Sequence, residues 1–294
     1  MAATGAIAFS GKAIIVKFAY RYGVDAVTLI MYRMLFALPI FVAMAWWAGR
    51  GKPPIARRDW FGIGALGVSG YYLASFLDFA GLQYISASLE RLILYLNPTL
   101  VMLLGWALYR KRFTWRQVAG MAVSYGGVLL VFARESSVSD HPDTALGAVL
   151  VVGSALSYAV YLVYSGQVVQ RIGSLRLVGL ATTVACLCCI GQFLLLRPLS
   201  AAADVASEVV WLSLLNATVC TALPVLLVMM GIERVGATVA AQTGMVGPMT
   251  TLLLGVVLLG EPFTPGIAAG TLCVLTGIFI FTRSPRAPRA ARAQ

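Results

Sequence analysis

"LLGWALYRKRFT" spans Leu103–Thr114, and "LLLGVVLLGEPFT" spans Leu252–Thr264. Shifted by 150 positions, Leu103, Leu104, Gly105, Leu108, Phe113 and Thr114 fall on Leu253, Leu254, Gly255, Leu258, Phe263 and Thr264. The basic "RKR" of the first copy is "GEP" in the second. The match continues without a gap from Leu73/Leu223 to Gly127/Gly277, through Gly81/Gly231, Ala87/Ala237, Pro98/Pro248, Ala119/Ala269 and Gly120/Gly270. Apolar composition alone does not keep one register through a proline and a Phe-Thr pair. The chain reads as a repeat whose copies share packing residues and differ in charge.

Composition says where such a repeat lives. The 294 residues are 60% hydrophobic and only 11% charged, against about a quarter charged in soluble domains. Most of the surface must face lipid. A bilayer core needs roughly 20 apolar residues per helical span, so the length accommodates about ten spans and no soluble domain beside them. The start, "MAATGAIAFS", carries no basic n-region of a secretory signal and reads as the beginning of a first membrane helix. Cys186, Cys188, Cys189, Cys220 and Cys273 all lie in apolar runs without metal spacing, as small buried thiols do.

Apolar runs bounded by charge, Gly or Pro predict ten helices, at 3–20, 27–47, 60–80, 87–108, 115–133, 145–166, 175–196, 208–230, 236–259 and 265–283. The polar stretch from Arg134 to Thr144 splits them into halves at 1–133 and 144–283, followed by a basic tail, 284–294. Sorted by loop, 15 of the 22 Lys and Arg residues fall on one side: in loops 2–3, 4–5, 6–7 and 8–9 and near the C-terminus. Arg21, Arg134 and Arg197 lie on the other side, and four lie within spans. Cytoplasmic loops collect Lys and Arg, so both termini are expected in the cytoplasm. Five is odd, so the second half enters the membrane from the opposite face. The loop after span 4 is then cytoplasmic and can be "YRKRFT"; its copy after span 9 is external and reads "LGEPFT". An all-α integral membrane protein of two inverted five-helix repeats is the architecture of secondary transporters, with solute held near the midplane.

The stretches from Gly81 to Phe132 and from Gly231 to Phe281, and above all "LGEPFTPGIAAGTLCVLTGI", resemble the EamA repeat of the drug/metabolite transporter superfamily. The resemblance covers nearly the whole chain as two EamA halves. It implies a multi-pass carrier of the bacterial inner membrane that exports amino acids or related metabolites. The first copy departs from the pattern, since "YRKRFT" leaves no acidic residue in its loop.

Other motifs fail on context. "GIGALG" (Gly62–Gly67) has dinucleotide-binding spacing but sits in an apolar helix without a preceding strand. "GAIAFSGK" (Gly5–Lys12) has Ala13 where a phosphate loop needs Ser or Thr. His141 is the only histidine. No metal, cofactor, nucleic-acid partner or enzymatic chemistry is expected. Gly120, Gly127, Gly270 and Gly277 suit close helix packing. Pro98 and Pro248, at equivalent places read as mid-helix, free a carbonyl one turn back and are candidates for a gating bend.

The remaining signal is intramembrane charge: Lys12, Lys17, Arg33, Asp78, Glu90 and Arg91. Such residues are costly and mark solute or ion pathways. The topology places all six in the outer half of the first repeat, and Glu90 and Arg91 become Ala240 and Ala241 in the copy. Lys17, Asp78 and Arg91 are expected to snorkel to the interface. Lys12, Arg33 and Glu90 are expected to line one outer-facing cavity, with Tyr71, Tyr72 and Tyr95 as walls and Tyr161 and Gln242 as neutral counterparts. Protons are the expected coupling ion, a homodimer is left open, and the partners are lipid and a small solute. The competing reading is a non-transporting scaffold or lipid-handling protein with static buried ion pairs.

Overall fold

The computed structural model describes residues 2–109, 114–138, 143–225, 227 and 246–282. Every regular element among them is helical. α1 covers Ala2–Tyr20 and α2 Ala26–Gly49. α3, Arg57–Gly67, runs through a π-helical turn, Val68–Leu73, into α4, Ala74–Gly81. α5 is Ala87–Leu94, α6 Asn97–Tyr109, α7 Trp115–Val138, α8 Thr144–Ile172 and α9 Ser174–Leu196. After the short α10, Ser200–Ala203, α11 (Ser207–Ala217) continues into a second π-helical turn, Thr218–Ala222. α12, Val246–Leu254, passes into a third, Gly255–Leu259, and α13 is Pro265–Thr282.

Among the described residues, seven helical segments are long and apolar enough to cross a membrane: 26–49, 57–81, 87–108, 115–134, 144–166, 174–196 and 207–225. Shorter apolar helices cover 250–259 and 265–280, and the 19-residue α1 carries two lysines. The expected spans at 208–230 and 236–259 fall partly outside the described residues, so the described helices carry the ten-span expectation only in part. The exterior is apolar, with Phe61 83% and Leu195 86% exposed. All six tryptophans are exposed, each within about a turn of a helix end. Amphipathic rings collect there at membrane–water interfaces.

The repeat is visible in the backbone. α3 and α11 are bounded 150 positions apart at both ends, and their π-helical turns begin at Val68 and Thr218, the same offset. α7 and α13 also start at equivalent residues, Trp115 and Pro265. Packing is reciprocal. A Cβ at Gly127 would lie 2.6 Å from the Gly270 carbonyl, and one at Gly277 would lie 2.5 Å from the Gly120 carbonyl. α7 and α13 therefore meet backbone to backbone, as the glycine spacing predicts. In the same way α1 packs on α12, while α8 packs on α6. "GIGALG" lies in α3, where Gly67 faces the Ala181 carbonyl of α9, a packing contact.

Loop contacts sort the two ends of the bundle. At one end the Arg171 guanidinium pairs with Asp59 at 2.8 Å and Arg176 donates to the Pro53 carbonyl. These join loops 2–3 and 6–7. At the other end Arg21 donates to the Leu259 carbonyl, Arg197 pairs with Asp25 at 3.3 Å and Tyr32 donates to the Ala202 carbonyl. These join the loops around residues 21–25, 197–203 and 259–264. α7 runs five residues into the polar stretch expected to separate the halves.

Candidate functional site

The buried charges meet across four helices. Lys12, midway along α1, donates from Nζ to Asp78 Oδ2 on α4 at 2.5 Å. The same Nζ is 3.6 Å from Glu90 Oε1 on α5. Glu90 Oε2 is 3.8 Å from Arg91 Nε. The Phe9 ring, one turn before Lys12, lies 5.6 Å from both Lys12 Nζ and the Arg91 guanidinium carbon, and Arg91 also donates to the Phe9 carbonyl. Arg33 on α2 stacks its guanidinium over Phe79, 5.0 Å from the ring centroid, and its Nε donates to Thr221 Oγ1 at 3.1 Å.

The placement corrects the sequence reading. Asp78 and Arg91 do not snorkel: they are 2% and 5% exposed and paired with Lys12 and Glu90. Glu90 is fully buried, and neither of its oxygens accepts a hydrogen bond. Its ion pairs are longer than hydrogen bonds, so its charge is balanced but poorly solvated. Lys12 and Glu90 lie 3.6 Å apart, and Arg33 stacks on Phe79, next in sequence to Asp78. The cluster is packed in the interior, its five residues 0–6% exposed. A cavity of about 160 Å³ lies elsewhere, among Tyr22, Asp25, Thr28, Asp204 and Val209.

The tyrosines form a second group. Tyr71, on the first π-helical turn, meets Tyr161 of α8 edge to face, with hydroxyls 3.3 Å apart. Tyr158 stacks on Tyr161. Tyr72 packs against the core of α1, α2 and α9, and Tyr95 against that of α5 and α7. Gln242 lies outside the described residues. Pro98 is not mid-helix. α5 ends at Leu94, the chain turns through Tyr95 and Leu96, and Pro98 is the second residue of α6. A proline in a first turn gives up an N–H that has no helical partner anyway. What it removes is the bond that would have joined α5 to α6, so the span is discontinuous. Pro248 lies in the first turn described for α12.

One functional contact was missed. Ser86 caps α5 by accepting from the Leu89 amide, and Glu261 supplies the rest: its carboxylate accepts from the Ala87 and Ser88 amides at 2.8 and 3.3 Å and from the Ser88 hydroxyl. Gly260, at φ +71°, makes the turn that aims it. The "GEP" of the second repeat thus caps the helix that carries Glu90 in the first. The acid in the loop pattern and the orphan amides of a helix starting at Ala87 were the available signals. Their pairing across 174 positions was not.

Residues 1–133 and 145–283 each match the EamA-like transporter family. The chain belongs to the EamA-like transporter family. It is 31% identical to the uncharacterized transporter YcbK of Bacillus subtilis over 87% of this chain and 83% of that protein. It is 23% identical to the uncharacterized transporter YetK of the same organism, over 88% and 78%. A crystal structure aligns with TM-score 0.62 at 21% identity, covering 95% of this chain and 94% of that one, and shares the fold. As an EamA member the chain is a multi-pass membrane transporter built from two repeats, in contact with lipid and a small solute.

Proposed function

We propose that this EamA protein is a secondary transporter that exports small metabolites, amino-acid-like or other organic solutes, across a bacterial inner membrane by alternating access. It has ten spans in two inverted five-helix repeats, 1–133 and 144–283, with both termini and the 284–294 tail in the cytoplasm. The reciprocal packing supports the inversion. So does the gathering of odd-numbered loops at one end and of the even-numbered loops 2–3 and 6–7 at the other. The discontinuity at 95–97 supplies a hinge near Pro98, with Pro248 at the equivalent place in the second repeat.

The observation that carries the reading is Glu90, fully buried, with longer ion pairs to Lys12 and Arg91 and the Asp78 carboxylate beside it. Lys12–Asp78, at 2.5 Å, is the tighter pair. Glu90 is the group able to exchange partners. Lys12, Arg33 and Glu90 form the solute and coupling site, Tyr71, Tyr72, Tyr95, Tyr161 and Gln242 its approaches, and protonation of Glu90 in the field of Lys12, Asp78 and Arg91 couples exchange to the proton gradient. The test is efflux from metabolite-loaded proteoliposomes. Glu90→Gln should fold and lose the dependence of efflux on pH, and Lys12→Ala should weaken solute binding. Normal pH-dependent efflux by both variants removes the cluster from the mechanism.

A further inference from the structure

We infer that Arg33 is the anion-binding group of this protein, and that the solute it receives is a small organic monocarboxylate. The inference rests on the transporter reading above and adds the chemistry of the ligand. Arg33 is 5% exposed. Its Nε is used by Thr221, one face of the guanidinium is covered by Phe79, and Nη1 is buried without a hydrogen-bond partner. Among the described residues, no ion pair includes Arg33, while Lys12, Asp78, Glu90 and Arg91 all have one.

A charge count gives the same answer. Lys12, Arg33 and Arg91 face Asp78 and Glu90, which leaves one positive charge in excess among these five buried residues. Asp78 is committed to Lys12, and Glu90 lies between Lys12 and Arg91, so the excess falls on Arg33. A buried lysine can shed its proton; a guanidinium cannot. Thr221, Phe79 and the more distant charge of Asp78 compensate its burial in part; a bound anion would complete it, and a planar N–H edge matches a carboxylate. One excess charge suits a monoanion. A dianion would leave the interior negative.

The group is also pre-oriented. Thr221 lies on the second π-helical turn, and its hydroxyl donates to the Asn216 carbonyl five residues back, which aims its oxygen at Arg33. The Phe79 backbone is held by the Tyr20 hydroxyl at 2.6 Å. The flank is apolar: Met34 and Cys186 touch at 3.7 Å within the same core, a surround suited to the hydrocarbon part of an organic acid.

The experiment uses the purified full-length protein in detergent with the acids from acetate to octanoate, benzoate and 3-phenylpropionate, each beside its primary amide. Thermal shift and isothermal calorimetry should register acids and not amides. Arg33→Met should bind the best acid at least about tenfold more weakly. Its unliganded melting temperature should be unchanged or raised, because it removes an unpaired buried charge. Arg33→Lys should fall between. Equal response to acid and amide, no response to any acid, or a preference for acids surviving in Arg33→Met overturns the inference. So does an Arg33→Met protein that melts well below wild type, which marks a structural role. Efflux of the best acid at the wild-type rate by Arg33→Met proteoliposomes overturns it while leaving the transporter reading intact. Wild-type protein that binds acids but moves no solute strikes that reading alone.

Discussion

The two repeats share a backbone and divide the chemistry. Both carry a π-helical turn at the same register, and both offer glycines to the α7–α13 contact. At one equivalent contact they swap sizes: Gly70 faces the Tyr161 ring, whereas Cys220 faces Gly11. Among the described residues, the buried charges belong to the first repeat alone. Arg33 corresponds to Thr183, which donates to the Gly179 carbonyl of its own helix. The second repeat contributes Thr221 to Arg33 and Glu261 to α5. The second half thus orients the charged residues of the first with a neutral and a capping group. What the repeats share is packing, and what differs is charge, because packing is indifferent to inversion while charge is not.

The largest effect should come from breaking the shared part. Gly127→Leu and Gly277→Leu each drive a side chain into the partner helix's backbone, and overpacking against backbone costs about 3 kcal/mol or more. Both should abolish folded yield in fluorescence-detected size exclusion, to the same degree. Tolerance of one and not the other would break the symmetry.

Replacing Glu261 with Lys, the residue at the equivalent position 111, should cost about 2 kcal/mol. It strips the Ala87 and Ser88 amides of their acceptor and sets a cation at a helix N-terminus. Glu261→Gln, which keeps one acceptor oxygen, should cost about half as much. Urea or thermal melts of the two variants measure this. A Glu261→Lys protein as stable as wild type would remove the cap from the account.

The smallest effect concerns the entry to the second span of each half. Asp25 caps α2 by accepting from the Val27 and Thr28 amides and the Thr28 hydroxyl. α9 enters through Gly173, at φ +87°, without a side-chain cap. Asp25→Ala should therefore cost about 1 kcal/mol, and Gly173 offers no counterpart to remove. Burial pushes the Asp25 carboxyl up, but the Thr28 hydroxyl, the cap amides and Arg197 outweigh it and hold it below its ordinary value. A carboxyl lowered in the folded state adds stability above its unfolded value and loses it as pH falls through the folded one. The gap between wild type and Asp25→Ala should thus be full at neutral pH and close below about pH 4. A constant gap would mean that Asp25 acts without its charge.

Much of the fold was legible because its causes are local or periodic. A 60% apolar chain with 11% charge has no folded solution in water, and a gapless 150-residue offset can be read without coordinates. The glycines of α7 and α13 were legible for the same reason: seven residues bring two of them to one helix face. Membership of the EamA family was legible in "LGEPFTPGIAAGTLCVLTGI".

The site was not legible to the same depth. The sequence by itself determined how deep each charge lies along its span, since depth is a count of residues from a loop. It did not determine direction around the helix, because spans that are apolar on every side carry no pattern to mark their buried face. Depth alone sent Asp78 and Arg91 to the interface and set Pro98 in mid-helix. Only the tertiary structure turned Asp78 toward Lys12, 66 positions away, and placed Glu90 between two cations. The same holds for Glu261. A carboxylate and two unpaired amides lower their energy by meeting wherever the chain allows it, and which amides are within reach is decided by the packing of one repeat against the other.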